Sequence, residues 1–330
     1  MEGIFKDIPE EAKGKLKEAK EPDWVDPMLA TLTEERFSRE GWIYEPKYDG
    51  ERVLTYKLGK DVSLKSRNEK ELGGGYPEIV KAMERQEHEF IADGEVVAFA
   101  DGRTSFEELQ KRIGLHDIRA TEQGVPVFYY LFDLVYLDGY DLRNLELRYR
   151  KVLLKKAIKF EDPLRFTPHV EKEGVPFYKE MCAKGWEGAI AKDLSSDYVG
   201  TRSRNWLKFK CVEEQELVIG GFTDPQGSRI GFGALLVGYY NDGILRYAGK
   251  VGTGYDNETL ENLSYELKSI EMKQSPFNDD VDENDAHWVK PKLVAEIGFT
   301  EWTKTGKLRH PRFKGLRRDK SAREVLREHK

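Results

Sequence analysis

From Trp42 onward, short apolar runs alternate with turn signals: WIYEP before Asp49-Gly50, VLTYKL before Gly59-Lys60, FIA before Asp93-Gly94, and VPVFYYLFDLVYL before Asp138-Gly139. Runs of this length closed by such dipeptides predict β-strands ended by tight turns. Helices are predicted between them near residues 76–86, 105–113 and 147–158, without a strict βαβ alternation. After Lys210 the strands shorten and crowd (ELVIGGF, GALLVGYY, ILRYAGKVG and, past a helical stretch near 257–270, LVAEIGF), a texture that predicts a small β-barrel. The 330 residues therefore divide into a tail (1–23), a domain mixing strands and helices (24–210) and a barrel domain (211–330). The tail reads as charged and flexible, because 10–20 offers too few apolar positions to dock. No internal repeat is found.

Composition changes this picture little. A hydrophobic fraction of 39% with 16 Phe, 16 Tyr and 6 Trp supports packed cores. No apolar run approaches the roughly 18 residues a membrane span needs. The opening MEGIFKDIPEEAKGK has charges of both signs and no apolar centre, so the reading is a cytoplasmic chain without membrane contact. Cys182 and Cys211 are too few for a disulfide framework and lack zinc-site spacing. None of His88, His116, His169, His287, His310 and His329 has metal-ligand spacing, and none is given a role.

Charge changes the picture more. The net −6 argues against a polyanionic partner, but its distribution reverses that inference. Lys304, Lys307, Arg309, Arg312, Lys314, Arg317, Arg318 and Lys320 face a single acid, Asp319, and Arg202, Arg204, Lys208 and Lys210 form a second basic island. NDDVDEND (278–285) reads as a solvated acidic linker.

The candidate chemistry begins with an absence: neither GxxxxGK[ST] nor GxGxxG occurs. In EPKYDGER, Lys47 ends an apolar strand just before a turn. Lysine is a nucleophile only as the free amine, which needs neighbouring cations or desolvation. On its own, KxDG reads more readily as a surface lysine before a hairpin turn. In Trp206 to Lys210, a strand period of two sets Lys208 and Lys210 on one face and Leu207 and Phe209 on the other. Such a dication suits a triphosphate and would depress the pKa of a nearby Lys47. Glu95 and Glu187 each adjoin a glycine; they are either solvated acids or, if they converge on phosphates, ligands for Mg²⁺. Phe132 is explained equally well by core packing, and Arg52 and Arg67 by surface placement beyond turns.

Taken in order, the segments resemble the motifs of the covalent nucleotidyltransferases, the family of ATP-dependent DNA ligases, RNA ligases and mRNA capping enzymes. Glu45-Pro46-Lys47-Tyr48-Asp49-Gly50-Glu51-Arg52 resembles motif I, and Ser66-Arg67-Asn68 a backbone-contacting motif. Asp93-Gly94-Glu95 resembles motif III, and FDLVYLDG (132–139) the segment that follows it. Glu187-Gly188-Ala189-Ile190-Ala191-Lys192 is similar to motif IV, Trp206-Leu207-Lys208-Phe209-Lys210 to motif V, and Arg317-Arg318-Asp319-Lys320 to motif VI. The ligase module of bacterial ligase D type end-joining enzymes is the subgroup most resembled. Met28-Leu29-Ala30, DYVGTRS (197–203), KVGTG (250–254), Leu308-Arg309-His310-Pro311 and Phe313-Lys314-Gly315-Leu316 carry that likeness.

The resemblance implies an α+β nucleotidyltransferase (adenylation) domain followed by a C-terminal OB-fold domain. It implies an ATP-dependent DNA ligase that joins a 3′-hydroxyl to a 5′-phosphate through AMP carried on Lys47, in DNA repair by non-homologous end joining. By the same likeness Phe132 stacks on adenine and Glu45 lies at its edge, while Arg52 and Arg67 contact ribose or phosphate, Arg67 at the 5′-phosphate of the nicked strand. Glu187 is a metal ligand, Glu95 a ribose or metal contact, and Lys208 and Lys210 meet the nucleotide phosphates. Arg317 and Lys320 act on the pyrophosphate in the first step only. The implied cofactors are ATP, as covalent AMP, and Mg²⁺ or Mn²⁺. The implied partners are nicked or broken duplex DNA, a Ku-like end binder and separate polymerase or phosphoesterase proteins, with the ligase itself a monomer. No long N-terminal DNA-binding domain is seen, so weak encirclement of DNA is expected. The alternatives are an RNA ligase or capping-type nucleotidyltransferase, or a non-catalytic DNA-end-binding module.

Overall fold

The computed structural model describes residues 3–113, 124–211, 213–303 and 305–328; His116, Lys304 and His329, named above, lie outside the described residues. The chain forms two compact units, Met1–Cys211 and Val212–His329.

In chain order the first unit's strands are β1 (Lys17–Glu18), β2 (Leu29–Leu32), β3 (Trp42–Lys47), β4 (Glu51–Leu58), β5 (Asp61–Ser66), β6 (Phe90–Ala100), β7 (Arg103–Thr104), β8 (Val127–Leu137), β9 (Tyr140–Asp141), β10 (Leu164–Phe166), β11 (Val170–Glu171), β12 (Gly188–Asp193) and β13 (Arg202–Lys210). Eight form one sheet, ordered β1-β9-β8-β6-β4-β5 with β10 beside β8 and β7 beside β6. Five form another, ordered β11-β3-β12-β13-β2. Pairing is antiparallel except for β10 with β8 and β2 with β13.

Alternation along the strands decides what each face does. Leu54, Ile91, Phe132 and Val135 of the larger sheet join Trp206 of the smaller one in a single buried cluster, which places the two sheets face to face. Behind the larger sheet, a second core takes Ile79 and Met83 from the helix Pro77–Glu84 and Leu153, Leu154 and Ala157 from the helix Leu147–Ala157. Behind the smaller sheet, Tyr44, Ala189, Ala191, Leu207 and Phe209 pack beneath Phe177 and Tyr178 of the helix Gly174–Ala183.

Three expectations need correction. The tail is not loose: Phe5, Ile8 and Ala12 are buried in the main core, Phe5 meets Tyr140 edge-on at 5.2 Å, and β1 pairs with β9. Phe5, Ile8, Ala12 and the partly buried Leu16 recur at helical spacing, a stripe thin enough to be hidden among charges. Asp93-Gly94 is not a turn but the middle of β6. Its glycine answers a close approach, since a Cβ there would lie 2.5 Å from the Tyr129 ring and 2.6 Å from the Tyr130 carbonyl oxygen. Cys182 and Cys211, too few for a framework, nonetheless form a single disulfide across a sequence separation of 29. The fold brings the end of β13 beside the last turn of the helix Gly174–Ala183, and the Cys211 N–H donates to the Glu187 carbonyl at 3.0 Å.

The second unit contains β14 (Glu213–Thr223), β15 (Leu235–Asn241), β16 (Ile244–Val251), β17 (Glu271–Met272), β18 (Ala286–Val289), β19 (Val294–Phe299), β20 (Glu301–Trp302), β21 (Leu308–Arg309) and β22 (Arg312–Leu316). The order is β16-β15-β14-β18-β17, β19 pairs with both β14 and β22, and β20 pairs with β21. The long β14 thus meets three partners, as a strand bent through a barrel-like sheet must. The helix Asn257–Ser269, N-capped by Asp256, places Leu260, Leu263 and Leu267 in the core. The acidic segment is stitched down rather than free: Asp279 accepts from the Tyr247 N–H at 2.7 Å and pairs with Arg246, and Glu283 pairs with Lys250. No helix among the described residues is long and apolar enough to cross a membrane.

Candidate active site

The smaller sheet of the first unit lays its functional side chains in rows. With Tyr44 in the core behind it, β3 turns Glu45 and Lys47 to the opposite face. In the register, Gly188 lies between Lys47 and Lys210, Ile190 between Glu45 and Lys208, and Lys192 between Ile43 and Trp206. Neighbouring strands are about 4.8 Å apart, so the Lys47 and Lys210 backbones stand roughly 10 Å apart with only a glycine between them. No other residue fits there. Gly188 has φ +147, and a Cβ would come within 1.9 Å of the Phe209 carbonyl oxygen. The sheet therefore leaves a trough with no side chain of its own between the two lysines.

Lys47 forms an ion pair with Glu187, which sits just before β12; both side chains are largely buried. A carboxylate at this range favours the charged ammonium. Glu187 thereby fixes where the Lys47 amine sits at the edge of the sheet.

The larger sheet supplies the opposite wall. Arg52 faces Glu95 across β4 and β6, and its guanidinium grips the fully buried Asp93 through two bonds of 2.5 Å. Burial alone would lower the pKa of Arg52, but Asp93 outweighs it and keeps the side chain cationic. Asp93 also accepts from the Tyr198 hydroxyl at 2.6 Å. Arg52 lies 4.8 Å from the centroid of the Phe132 ring, which meets Trp206 edge-on at 6.0 Å. Arg67 opens the turn that follows β5, one residue beyond the terminal Val53–Ser66 pair.

Between the walls is a buried charge cluster. Glu45 is 2% exposed, with Lys151 on one carboxylate oxygen and Lys192 Nζ 2.7 Å from the other. Burial pushes the Glu45 pKa up, yet the two lysines outweigh it and hold the group below the usual range. Lys192 is depressed to about 8, by burial first and by Lys151 next, against the pull of Glu45. Its Nζ lies 4.1 Å from the Phe132 ring centroid and 3.9 Å from that of Trp206.

Glu45, Lys47, Arg52, Glu95, Phe132, Lys208 and Lys210 belong to these two facing sheets, and Glu187 directly precedes β12. Arg317 and Lys320 lie in the second unit, where Arg317 is chelated by Asp319 (2.9 Å) with Glu296 at 3.5 Å, and Lys320 pairs with Glu216 at 3.0 Å. Sequence reasoning assigned no role to Asp93, Lys151, Lys192, Tyr198 or Trp206. Lys192 was findable, two positions past Ile190 on one strand face; Lys151 carries no local signal, because its partner is 106 positions away.

Among the described residues, no three or more His, Cys, Asp or Glu side chains gather to hold a metal unaided. Mg²⁺ typically binds one or two carboxylates and completes its shell with phosphate oxygens and water. Glu187, beside Lys47, fits that donor set, with Glu95 on the facing wall as the second candidate.

Residues 27–210 match the family model described as ATP dependent DNA ligase domain, and 228–320 match ATP dependent DNA ligase C terminal region. The chain is 36% identical over 318 residues to the multifunctional non-homologous end joining protein LigD of Pseudomonas aeruginosa, covering 93% of this chain and 37% of that protein. It is 35% identical over 314 residues to LigD of Mycobacterium bovis, covering 93% and 40%. The chain thus spans about two fifths of the length of these relatives. Among solved structures, a mycobacterial DNA ligase D complexed with ATP and MES aligns at 33% identity with a TM-score of 0.65, covering 92% of this chain and 98% of that one. The architecture these matches share is an α+β adenylation domain followed by an OB-fold.

Proposed function

This chain belongs to the ATP-dependent DNA ligase family, and we propose that it seals 3′-hydroxyl/5′-phosphate breaks in duplex DNA through AMP carried on Lys47. The neutral Lys47 amine attacks the α-phosphorus of ATP. A nitrogen–phosphorus bond forms, the α–β bridging bond breaks, and pyrophosphate leaves. Lys47 reaches the neutral form by giving one ammonium proton to solvent, and the second proton, shed as the nitrogen–phosphorus bond forms, leaves with pyrophosphate, so that Glu187, its ion-pair partner, stays ionised. A 5′-phosphate oxygen of DNA then attacks the same phosphorus, releasing Lys47. Finally the 3′-hydroxyl attacks the DNA 5′-phosphate and AMP departs. The observation that carries this reading is Lys47 paired with Glu187 at one rim of the trough whose other rim is Lys210.

In this reading Phe132 stacks on adenine and Glu45 reads its edge, Arg52 and Glu95 meet the ribose, and Lys208 and Lys210 the phosphates. Arg67 meets the 5′-phosphate of the broken strand, and Arg317 and Lys320 meet the pyrophosphate. Mg²⁺ or Mn²⁺, held by Glu187 with Glu95, would neutralise charge developing on the phosphates. The LigD relatives support a place in non-homologous end joining; to this we add a Ku-like end binder and separate polymerase or phosphoesterase proteins as proposed partners, and a monomer acting in the cytoplasm. Mass spectrometry after incubation with ATP and Mg²⁺ tests the core of the proposal. Protein freed of bound AMP should gain one covalent AMP, and Lys47→Ala and Lys47→Arg should gain none, since guanidinium stays protonated. An adduct that persists in Lys47→Ala would overturn it.

A further inference from the structure

Behind the proposed base-reading residues lies a cation that no step of the reaction uses. Lys151, on the inner side of the helix Leu147–Ala157, is 5% exposed. Its Nζ donates to Glu45 Oε1 at 2.5 Å and to the Phe132 carbonyl oxygen at 3.4 Å, and lies 4.9 Å from the Phe166 ring centroid. One ammonium therefore holds both the side chain at the base's edge and the backbone of the residue beneath its face. Lys192 takes the other oxygen of Glu45. A buried ion pair is a poor route to stability, because an apolar pair of similar volume often does as well. Its attested use is to fix geometry.

We propose that Lys151 is a positioning residue that locks the Glu45 carboxylate in register with the Phe132 ring and thereby sets the preference for a purine bearing a 6-amino group. The proposal rests on the reading of Glu45 and Phe132 given above. Each carboxylate oxygen accepts two hydrogen bonds; Lys151 fills one position on Oε1 and Lys192 lies against Oε2 as an ion pair, so a position remains open. A 6-amino group fills it, whereas a purine with hydrogen at that carbon leaves it empty. The discrimination depends on the carboxylate being held still, because a mobile Glu45 would turn to water.

Self-adenylylation of the full chain, with ATP and with the triphosphate of purine riboside, separates the possibilities by the ratio of kcat/KM values. Wild type should prefer ATP by about tenfold or more, the worth of a charge-assisted hydrogen bond. In Lys151→Met that ratio should fall to within about threefold of unity, and in Lys151→Gln, which keeps a donor and serves if the Met variant does not fold, to an intermediate value. A merely structural lysine would lower both rates and leave the ratio alone; that result in either variant would overturn the proposal. No preference in wild type would instead overturn the reading of Glu45 on which it rests.

Discussion

Lys192 is an ammonium closed in by Glu45, Lys151, the more distant Asp133 and two aromatic rings, and its pKa of about 8 lies below the ordinary 10.5 of lysine. Between those values the unfolded chain holds a proton that the folded chain has released, so stability from this group rises with pH across the window and is absent below it. His169, depressed by burial and then by Lys151, adds no compensating charge there. Wild type should therefore gain on Lys192→Met by on the order of 3 kcal/mol as pH climbs from 7 to 10. Urea unfolding at several pH values measures this, and a pH-independent difference would refute it. Side chains in one contiguous run were the legible part of the site. The octet around Lys47 and the alternation of Lys208 and Lys210 state their geometry locally, since a strand has a period of two. Asp93 was misread because its Asp-Gly dipeptide signals a turn, whereas the bonds from Arg52 and Tyr198 keep it inside β6, where the dipeptide marks only a register shift against β8. Lys151 became a site residue only when folding closed a long loop.

Glu187 and the strands β12 and β13, with Lys192, Trp206, Lys208 and Lys210, lie within the segment closed by Cys182 and Cys211. Tyr178 of the adjoining helix donates to the Lys210 carbonyl at 3.1 Å, so the helix, the strand end and the disulfide form one brace behind the trough. A loop of this length gives roughly 3–4 kcal/mol of stabilisation by chain entropy. For a unit of this size that corresponds to roughly 6–16 °C in Tm. Reductant should lower the Tm of wild type by such an amount and leave Cys182→Ser unaffected; equal melting of all three would remove the brace from the account. In a reducing compartment a disulfide is commonly a transient, redox-responsive state, so the reduced form is the one to assay for sealing as well. At this scale the sequence was informative wherever periodicity was strong, as in β4, β8 and the helix Leu147–Ala157. It was weak where elements are only two to four residues long, like those of the N-terminal segment, because pairing with β9 and burial of Phe5 and Ile8, rather than local propensity, hold them.

Taken whole, the chain is acidic at −6, and the basic run of the second unit is largely balanced within that unit. Arg309 pairs with Glu301, Lys314 with Glu214, Arg318 with Glu266 and Lys320 with Glu216. The exposed Arg309–Glu301 pair is worth about 1 kcal/mol or less, so Arg309 exchanges a carboxylate for a phosphate at small cost. Arg317 is different: removing it strands the buried Asp319, whose pKa burial would raise but Arg317 holds down. Lys320 is therefore the cleaner probe of the proposed action of the second unit on the nucleotide. Pyrophosphate is present only while Lys47 is being adenylylated, so a residue that meets it acts in that step and no other. Lys320→Met should slow self-adenylylation by on the order of 10²-fold, the effect of deleting one charged contact to a developing anion. Sealing of a nick that already carries a 5′-adenylate bypasses the step and should keep its rate within about twofold. Equal losses in the two assays would mean that Lys320 serves DNA binding or folding, and the division of labour between the units proposed here would fail.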